Sequence, residues 1–154
     1  MDQFSTTNKF EKIIIDIADY VFNDDLPNQN SLKSASFCLI DSLGCGLEAL
    51  EYEACKKMLG PVIKGTTVPN GARVPGTNFK MDPIQAAFNI GTMIRWLDFN
   101  DTWLAAEWGH PSDNIGGILA VSDWLSREAI HKNKAPLKMI DVLTAIVKAH
   151  EIQG

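Results

Sequence analysis

Residues 30–50 read NSLKSASFCLIDSLGCGLEAL, and the spacing within this stretch decides the fold class. Leu32, Ala35, Ser36, Leu39, Leu43, Gly46, Leu47 and Leu50 recur at intervals of three and four, the repeat that lines one face of an α-helix. Phe37, Cys38 and Ile40 fall off that stripe, which predicts a helix buried on more than one side. Ser42, Gly44, Cys45 and Gly46 are small and would let another helix approach closely. Each glycine costs a helix about 1 kcal/mol against alanine, so close packing is the expected compensation.

Working toward the N-terminus, a first helix is predicted from about Asn8, with Thr7 or Asn8 as cap and Glu11 completing a capping box. Phe10, Ile13, Ile14, Ile17, Ala18 and Val21 continue it, and Asn23-Asp24-Asp25-Leu26-Pro27 stops it. Working toward the C-terminus, Glu51–Leu59 reads as a short third helix. The segment from Gly60 to Lys80 is broken by repeated glycine and proline, which predicts a long irregular loop with brief extended pieces at Val62-Ile63 and Arg73-Val74. It carries neither a phosphate-binding Walker pattern nor a dinucleotide fingerprint. Asp82-Pro83 is a strong helix start, a fifth helix is expected after Pro111 with Ser112 or Asp113 as cap, and a sixth from Pro136. Strand-like alternation is nearly absent. The expectation is an all-α, multi-helix domain with one long irregular loop. The sixth helix shows no clear stop before Gly154, which reads as a cut through a longer protein.

The chain has 154 residues, 45% hydrophobic and 21% charged, with a net charge of −5. That balance is ordinary for a globular protein and gives no electrostatic reason to expect nucleic acid or an anionic membrane as partner. Cys38, Cys45 and Cys55 fit no disulfide framework, zinc pair or iron–sulfur run, and read as reduced thiols packed as small hydrophobes. No targeting pattern and no stretch approaching the ~20 apolar residues of a membrane span is visible. A cytoplasmic protein is expected.

The chemistry concentrates between Asp98 and Asn114. Asp98, Asp101, Glu107, His110 and Asp113 stand among Trp96, Trp103 and Trp108, between two well-marked helices. Polar groups set in aromatic walls suit a small-molecule pocket. Ser112, Asp113, Asn114 and the Gly116-Gly117 pair place backbone N–H groups at a helix start, which favours an anion, with His110 directly before it.

Taken singly, each residue has a plainer explanation. Asp98 can close a helix, and Asp101-Thr102 can be turn chemistry. His110 can lead into the helix with its ring on a carbonyl, Ser112 and Asp113 can be caps, and the tryptophans can be core. Asp98, Asp101, Glu107 and His110 match no specific metal-ligand template, and no metal is expected. His131 and His150 lie in polar helical surroundings and receive no role.

The combination is more specific. Leu97-Asp98-Phe99-Asn100-Asp101-Thr102-Trp103, followed by Gly109-His110-Pro111-Ser112-Asp113-Asn114, resembles the signature of the MmgE/PrpD family. The intervening Leu-Ala-Ala-Glu-Trp is similar to the branch that dehydrates 2-methylcitrate. Weaker likeness extends through Asp41–Cys45, Ala86–Asn89 and Lys148–Gly154, so it covers almost the whole chain.

The resemblance implies a larger two-domain protein, with a large helical domain of which residues 1–154 are the N-terminal part, a smaller α+β domain closing over the substrate, and the active site at their junction. It implies conversion of 2-methylcitrate to 2-methylaconitate, with citrate to cis-aconitate as a second substrate, in propionate catabolism. A cis-aconitate decarboxylase-like lyase and a non-catalytic helical module are the alternatives. Removing water from a 2-hydroxy tricarboxylate needs a base for a C–H proton, an acid for the hydroxyl, and fixed positive groups for the developing charge. His110 is the expected proton-transfer residue, with Asp98 as its orienting partner or the second acid/base group. Asp101, Ser112, Asp113 and Asn114 are the expected substrate contacts, and basic residues from later in the chain should complete the site. No cofactor, and in particular no iron–sulfur cluster, is expected. A homodimer is a candidate assembly.

Overall fold

The computed structural model describes the backbone of residues 4–23, 25–104 and 107–154, and the side chains of those from residue 11 onward. The side chains of the proposed caps Thr7 and Asn8, and all of Asp24 of the first stop and Ala105-Ala106 of the family segment, lie outside what is described. Six α-helices run in chain order among these residues: α1 (Phe4–Phe22), α2 (Gln29–Glu48), α3 (Glu53–Lys56), α4 (Pro83–Arg95), α5 (Ile115–His131) and α6 (Met139–Gln153). Two short antiparallel ribbons join them, β1 (Ala72–Arg73) with β2 (Lys80–Met81), and β3 (Trp103–Leu104) with β4 (Trp108–Gly109). The protein is mainly α, as the helical spacing requires.

Local chemistry explains where the helices begin. The Asp82 carboxylate accepts from the N–H groups of Ile84 and Gln85, both at 3.0 Å, and Pro83 opens α4. The side chain of Asn28 accepts from Ser31 N–H at 3.0 Å and starts α2 slightly earlier than the periodicity alone suggests. The last helix begins at Met139 rather than Pro136, because Asp141 reaches back to the N–H of Lys138 at 2.7 Å and caps it there. Helix α1 begins well before Asn8, so the run of apolar positions understated its length. The stretch 111–114 is a 3-10 turn, and α5 proper starts after it.

The core is built around α4, which lies against both α2 and α5. Ile90, Met93 and Ile94 of α4 are buried with Leu39 and Ala35 of α2, Ile115 and Ala120 of α5, and Val142 and Ile146 of α6. Close approach is carried at two glycines. Gly46 of α2 sits against Met93 and Ile94, with contacts of 3.6 Å for a Cβ placed there. At Gly116 of α5 a Cβ would lie 2.8 Å from Gly91 N and 2.9 Å from the Ala87 carbonyl oxygen. Gly44 faces open space instead. Of the three groups off the α2 stripe, Phe37 and Ile40 are exposed, whereas Cys38 is half-buried against the core.

The segment from 60 to 80 is irregular apart from β1 and β2, and it is anchored at two points. Asn89 on α4, fully buried, accepts from Gly60 N–H at 2.6 Å and donates to the Gln85 carbonyl at 2.7 Å. Farther along, Asp123 of α5 accepts from the N–H of Arg73 at 2.8 Å and from its guanidinium at 2.6 Å. Ala72, Val74 and Met81 are thereby drawn into the core. Val62 and Ile63, expected to be extended, lie in bends and are exposed.

Two expected outcomes follow from this packing. Gly116→Ala presses a methyl into backbone atoms that cannot yield, which should cost about 1–3 kcal/mol of overpacking. Gly117→Ala, with nothing nearby, should be neutral or gain up to about 1 kcal/mol of helix propensity. Thermal unfolding of the pair reads the difference directly. For Asp123, burial alone would raise the carboxyl, but its bonds to Arg73 hold it below the usual range. A group lowered in the folded state lends stability above its ordinary pKa and loses it as the pH falls through the folded value. Asp123→Ala should therefore cost about 1 kcal/mol near neutrality, discounted because Arg73 is largely exposed. The deficit should fade in acid, as a pH series of urea unfolding would show.

Candidate active site

Helix α4 ends on Arg95, and the chain then turns through Asp98, which adopts φ of 55°. That left-handed conformation is one that aspartate tolerates better than most residues. It brings the Asp98 carboxylate back onto the Arg95 guanidinium. The same guanidinium donates to the Asn100 side-chain oxygen at 3.2 Å and pairs with Asp113 at 3.1 Å. Arg95 thus gathers Asp98, Asn100 and Asp113 around one cation. Asp98 remains 73% exposed and Asp113 about half exposed, so both carboxylates face outward from the helix bundle.

Asp101 organises a second group. Its carboxylate accepts from the Ser112 N–H at 3.2 and 3.3 Å and from the Cys38 thiol of α2 at 3.3 Å. Its backbone carbonyl lies 2.6 Å from Nδ1 of His110. A carbonyl can only accept, so in the neutral ring Nδ1 carries the hydrogen and Nε2 keeps its lone pair. The ring also meets Trp108 edge-on, with centroids 6.0 Å apart. The Cys38 thiol is pushed up to about 12 by burial first and by the neighbouring Asp101 charge second. It is therefore a hydrogen-bond donor here, not a thiolate.

The expected site residues fall into three clusters. Asp98 and Asp113 meet at Arg95; His110, Ser112 and Asp101 meet through Asp101; Asn114 turns away and donates to Gln153 of α6 at 2.7 Å. Asp98 makes no hydrogen bond to His110, and the orienting contact expected of it is made by the Asp101 carbonyl. The amides expected to form an open anion site are partly used up. The 3-10 turn spends the Asp113 N–H on the His110 carbonyl at 2.9 Å, and Asp101 occupies that of Ser112. Asp101 thus acts as an internal anion on this turn. The Ser112 hydroxyl is fully buried and has no partner among the described residues.

Arg95 and His150 escaped the sequence reading. Arg95 looked like an ordinary cation in a last helical turn, although it pairs with two acids of the loop, Asp98 and Asp113. His150 stood in polar helical surroundings and received no role. Its ring instead lies against Trp103, with centroids 4.1 Å apart, and it shares a cavity of about 460 Å³ with Cys38, Trp103 and Asn28. Burial lowers its pKa, and Asp101 opposes that shift. Neither Asp98 nor His110 lines that cavity.

With this geometry in place, comparison with known proteins is decisive at the level of family. Residues 15–154 match the MmgE/PrpD N-terminal domain. The chain belongs to the MmgE/PrpD family. It is 68% identical over 146 residues to the 2-methylcitrate dehydratase of Escherichia coli (strain K12), covering 95% of this chain and 30% of that protein. The Cupriavidus necator protein of the same name is 65% identical over 144 residues, covering 94% and 30%. The mitochondrial 2-methylcitrate dehydratase of Yarrowia lipolytica is 56% identical over 149 residues, covering 94% and 28%. The chain thus spans just under a third of the length of these relatives. Among the described residues no helix is long and apolar enough to cross a membrane.

The Asp101–Cys38 contact gives a direct test of the site's electrostatics. Asp101→Asn removes the negative charge while leaving an oxygen for the Ser112 amide. The Cys38 pKa should then fall from about 12 yet stay above its ordinary value, because burial is the larger cause. The pH dependence of Cys38 alkylation, read by peptide mass spectrometry, would show it; an unchanged profile would mean that Asp101 does not act on the thiol.

Proposed function

We propose that the whole protein to which this chain belongs dehydrates 2-methylcitrate to 2-methylaconitate, with citrate as a second substrate. The observation that carries this proposal is the placement of His110, its Nδ1 anchored on the Asp101 carbonyl and its Nε2 left free for proton transfer. High identity to proteins named 2-methylcitrate dehydratase in bacteria and a yeast supports it.

In the proposed reaction a base takes a proton from the carbon next to a carboxylate. The C–H electron pair becomes the new double bond, the C–O bond breaks, and the hydroxyl leaves as water, taking its proton from a general acid supplied elsewhere in the whole protein. Neutral His110 accepts a proton at Nε2, and the resulting imidazolium keeps its Nδ1–H on the carbonyl. That hydrogen bond strengthens when the ring is charged, which favours the transfer. Asp98 offers the second carboxylate, held by Arg95 at the mouth of the loop. The chemistry needs no iron–sulfur cluster in this proposal.

The local charge balance says what else the enzyme must supply. Asp98, Asp101 and Asp113 outnumber Arg95, so these residues alone repel a tricarboxylate. The cations that bind its carboxylates are proposed to come from elsewhere in the whole protein, chiefly lysines, on an α+β domain closing over the loop. Exposed Ile13, Ile14, Ile15, Phe37 and Ile40 support cover of these faces by further protein; that the whole is a two-domain, homodimeric and cytoplasmic enzyme is proposed from the family resemblance.

In the whole protein His110→Ala should lower turnover roughly 10²-fold or more, the usual scale for a lost general acid or base. Asp98→Asn should be nearly as damaging if it acts with His110 as one unit, with little change in thermal stability given its exposure. Steady-state rates of alkene formation beside unfolding curves check both. Normal turnover in His110→Ala would remove the proposal.

A further inference from the structure

The loop that delivers His110 is weakly built by itself. Strands β3 and β4 pair over two residues each, and a ribbon that short does not hold its own geometry. Its support comes from the last turn of α6, through three separate contacts. The Trp103 ring of β3 lies on the His150 ring. Gly109, the residue before His110, faces the Gln153 side chain so closely that a Cβ there would stand 2.8 Å from its Nε2. Asn114, beyond His110, donates to the Gln153 Oε1 at 2.7 Å. Gly154 adds to the same surface, since a Cβ on it would fall into the Trp103 ring.

We propose that His150 and Gln153 are positioning residues for His110, a role resting on the assignment of His110 as the proton-transfer residue. They touch the loop on both sides of the histidine without touching its ring. Gln153 fixes the residue before it and the turn after it, while His150 holds the strand that leads from Asp101. The Asp101 carbonyl can hold Nδ1 only if the Asp101 and His110 backbones keep their spacing. Two elements from one helical turn set that spacing. A displacement of about 1 Å at a reacting group can cost on the order of 100-fold in rate, so a loosened loop should reduce chemistry more than binding.

The test compares disruptive and conservative variants in the whole protein. Gln153→Met keeps the side-chain length and loses the amide oxygen, whereas Gln153→Glu keeps an oxygen acceptor for Asn114. His150→Ala removes the ring under Trp103, whereas His150→Phe restores an aromatic surface. Gln153→Met and His150→Ala should lower kcat roughly 10-fold to 100-fold with KM nearly unchanged, and the conservative partners should recover most of it. Hydrogen–deuterium exchange should show faster exchange of amides 107–114 in the two disruptive variants alone, with other helices unaffected. Unchanged exchange in that segment, an effect on KM alone, or conservative variants as damaged as disruptive ones would each overturn the positioning role. A wild-type protein that fails to dehydrate the tricarboxylate would instead overturn the proposed function, and the exchange result would still decide whether α6 holds the loop.

Discussion

Asp101 is bonded in three directions at once, and the arrangement of the loop depends on that. Its carboxylate sits on the Ser112 N–H and the Cys38 thiol, while its carbonyl holds the His110 ring. The first contact ties the loop to the turn that starts α5, the second ties it to α2, and the third sets the tautomer of the histidine. A buried amide without a partner costs about 1–3 kcal/mol, so the turn and the aspartate each have reason to stay where they are. Hydrophobic packing around α4 supplies the frame. Asp101 converts that frame into a defined orientation for one side chain.

The same residue explains why the loop is a poor anion site by itself. A helix start rich in small residues ordinarily welcomes a substrate carboxylate, but here an internal carboxylate has taken the first free amide. Arg95 is likewise committed to Asp98, Asn100 and Asp113. Under the proposed function, this part of the family fold offers a proton-transfer group in a negatively charged surround. On that same proposal the surround would keep a tricarboxylate out until compensating cations arrive, and closure of a second domain would couple binding to assembly of the complete site.

Much of the fold was legible because its signals are local. The Asp82-Pro83 start, the α2 stripe and the glycine-proline punctuation before Lys80 each act within a few residues. The errors have equally local causes: Asp141 capping Lys138 moves α6 past Pro136, and a 3-10 turn absorbs the residues taken for the first turn of α5. The site was legible as a segment and not as a geometry. Nothing in the spacing of Asp98 and His110 says that the histidine ring will bond to the Asp101 backbone, because backbone carbonyls carry no sequence signature. Nor could spacing reveal Gln153 and His150, which meet the loop only after α6 folds back across α2. Arg95 was the one readable omission, a cation three residues from Asp98 at the end of a helix.

The central claim is that His110 is held by the Asp101 carbonyl with its proton on Nδ1 and its lone pair on Nε2. Nitrogen-15 NMR of histidine-labelled whole protein, with the His110 signals assigned by difference against His110→Ala, tests this most directly. The neutral ring should show a protonated Nδ1 and an unprotonated, solvent-reachable Nε2. A neutral ring carrying its proton on Nε2 would contradict that claim.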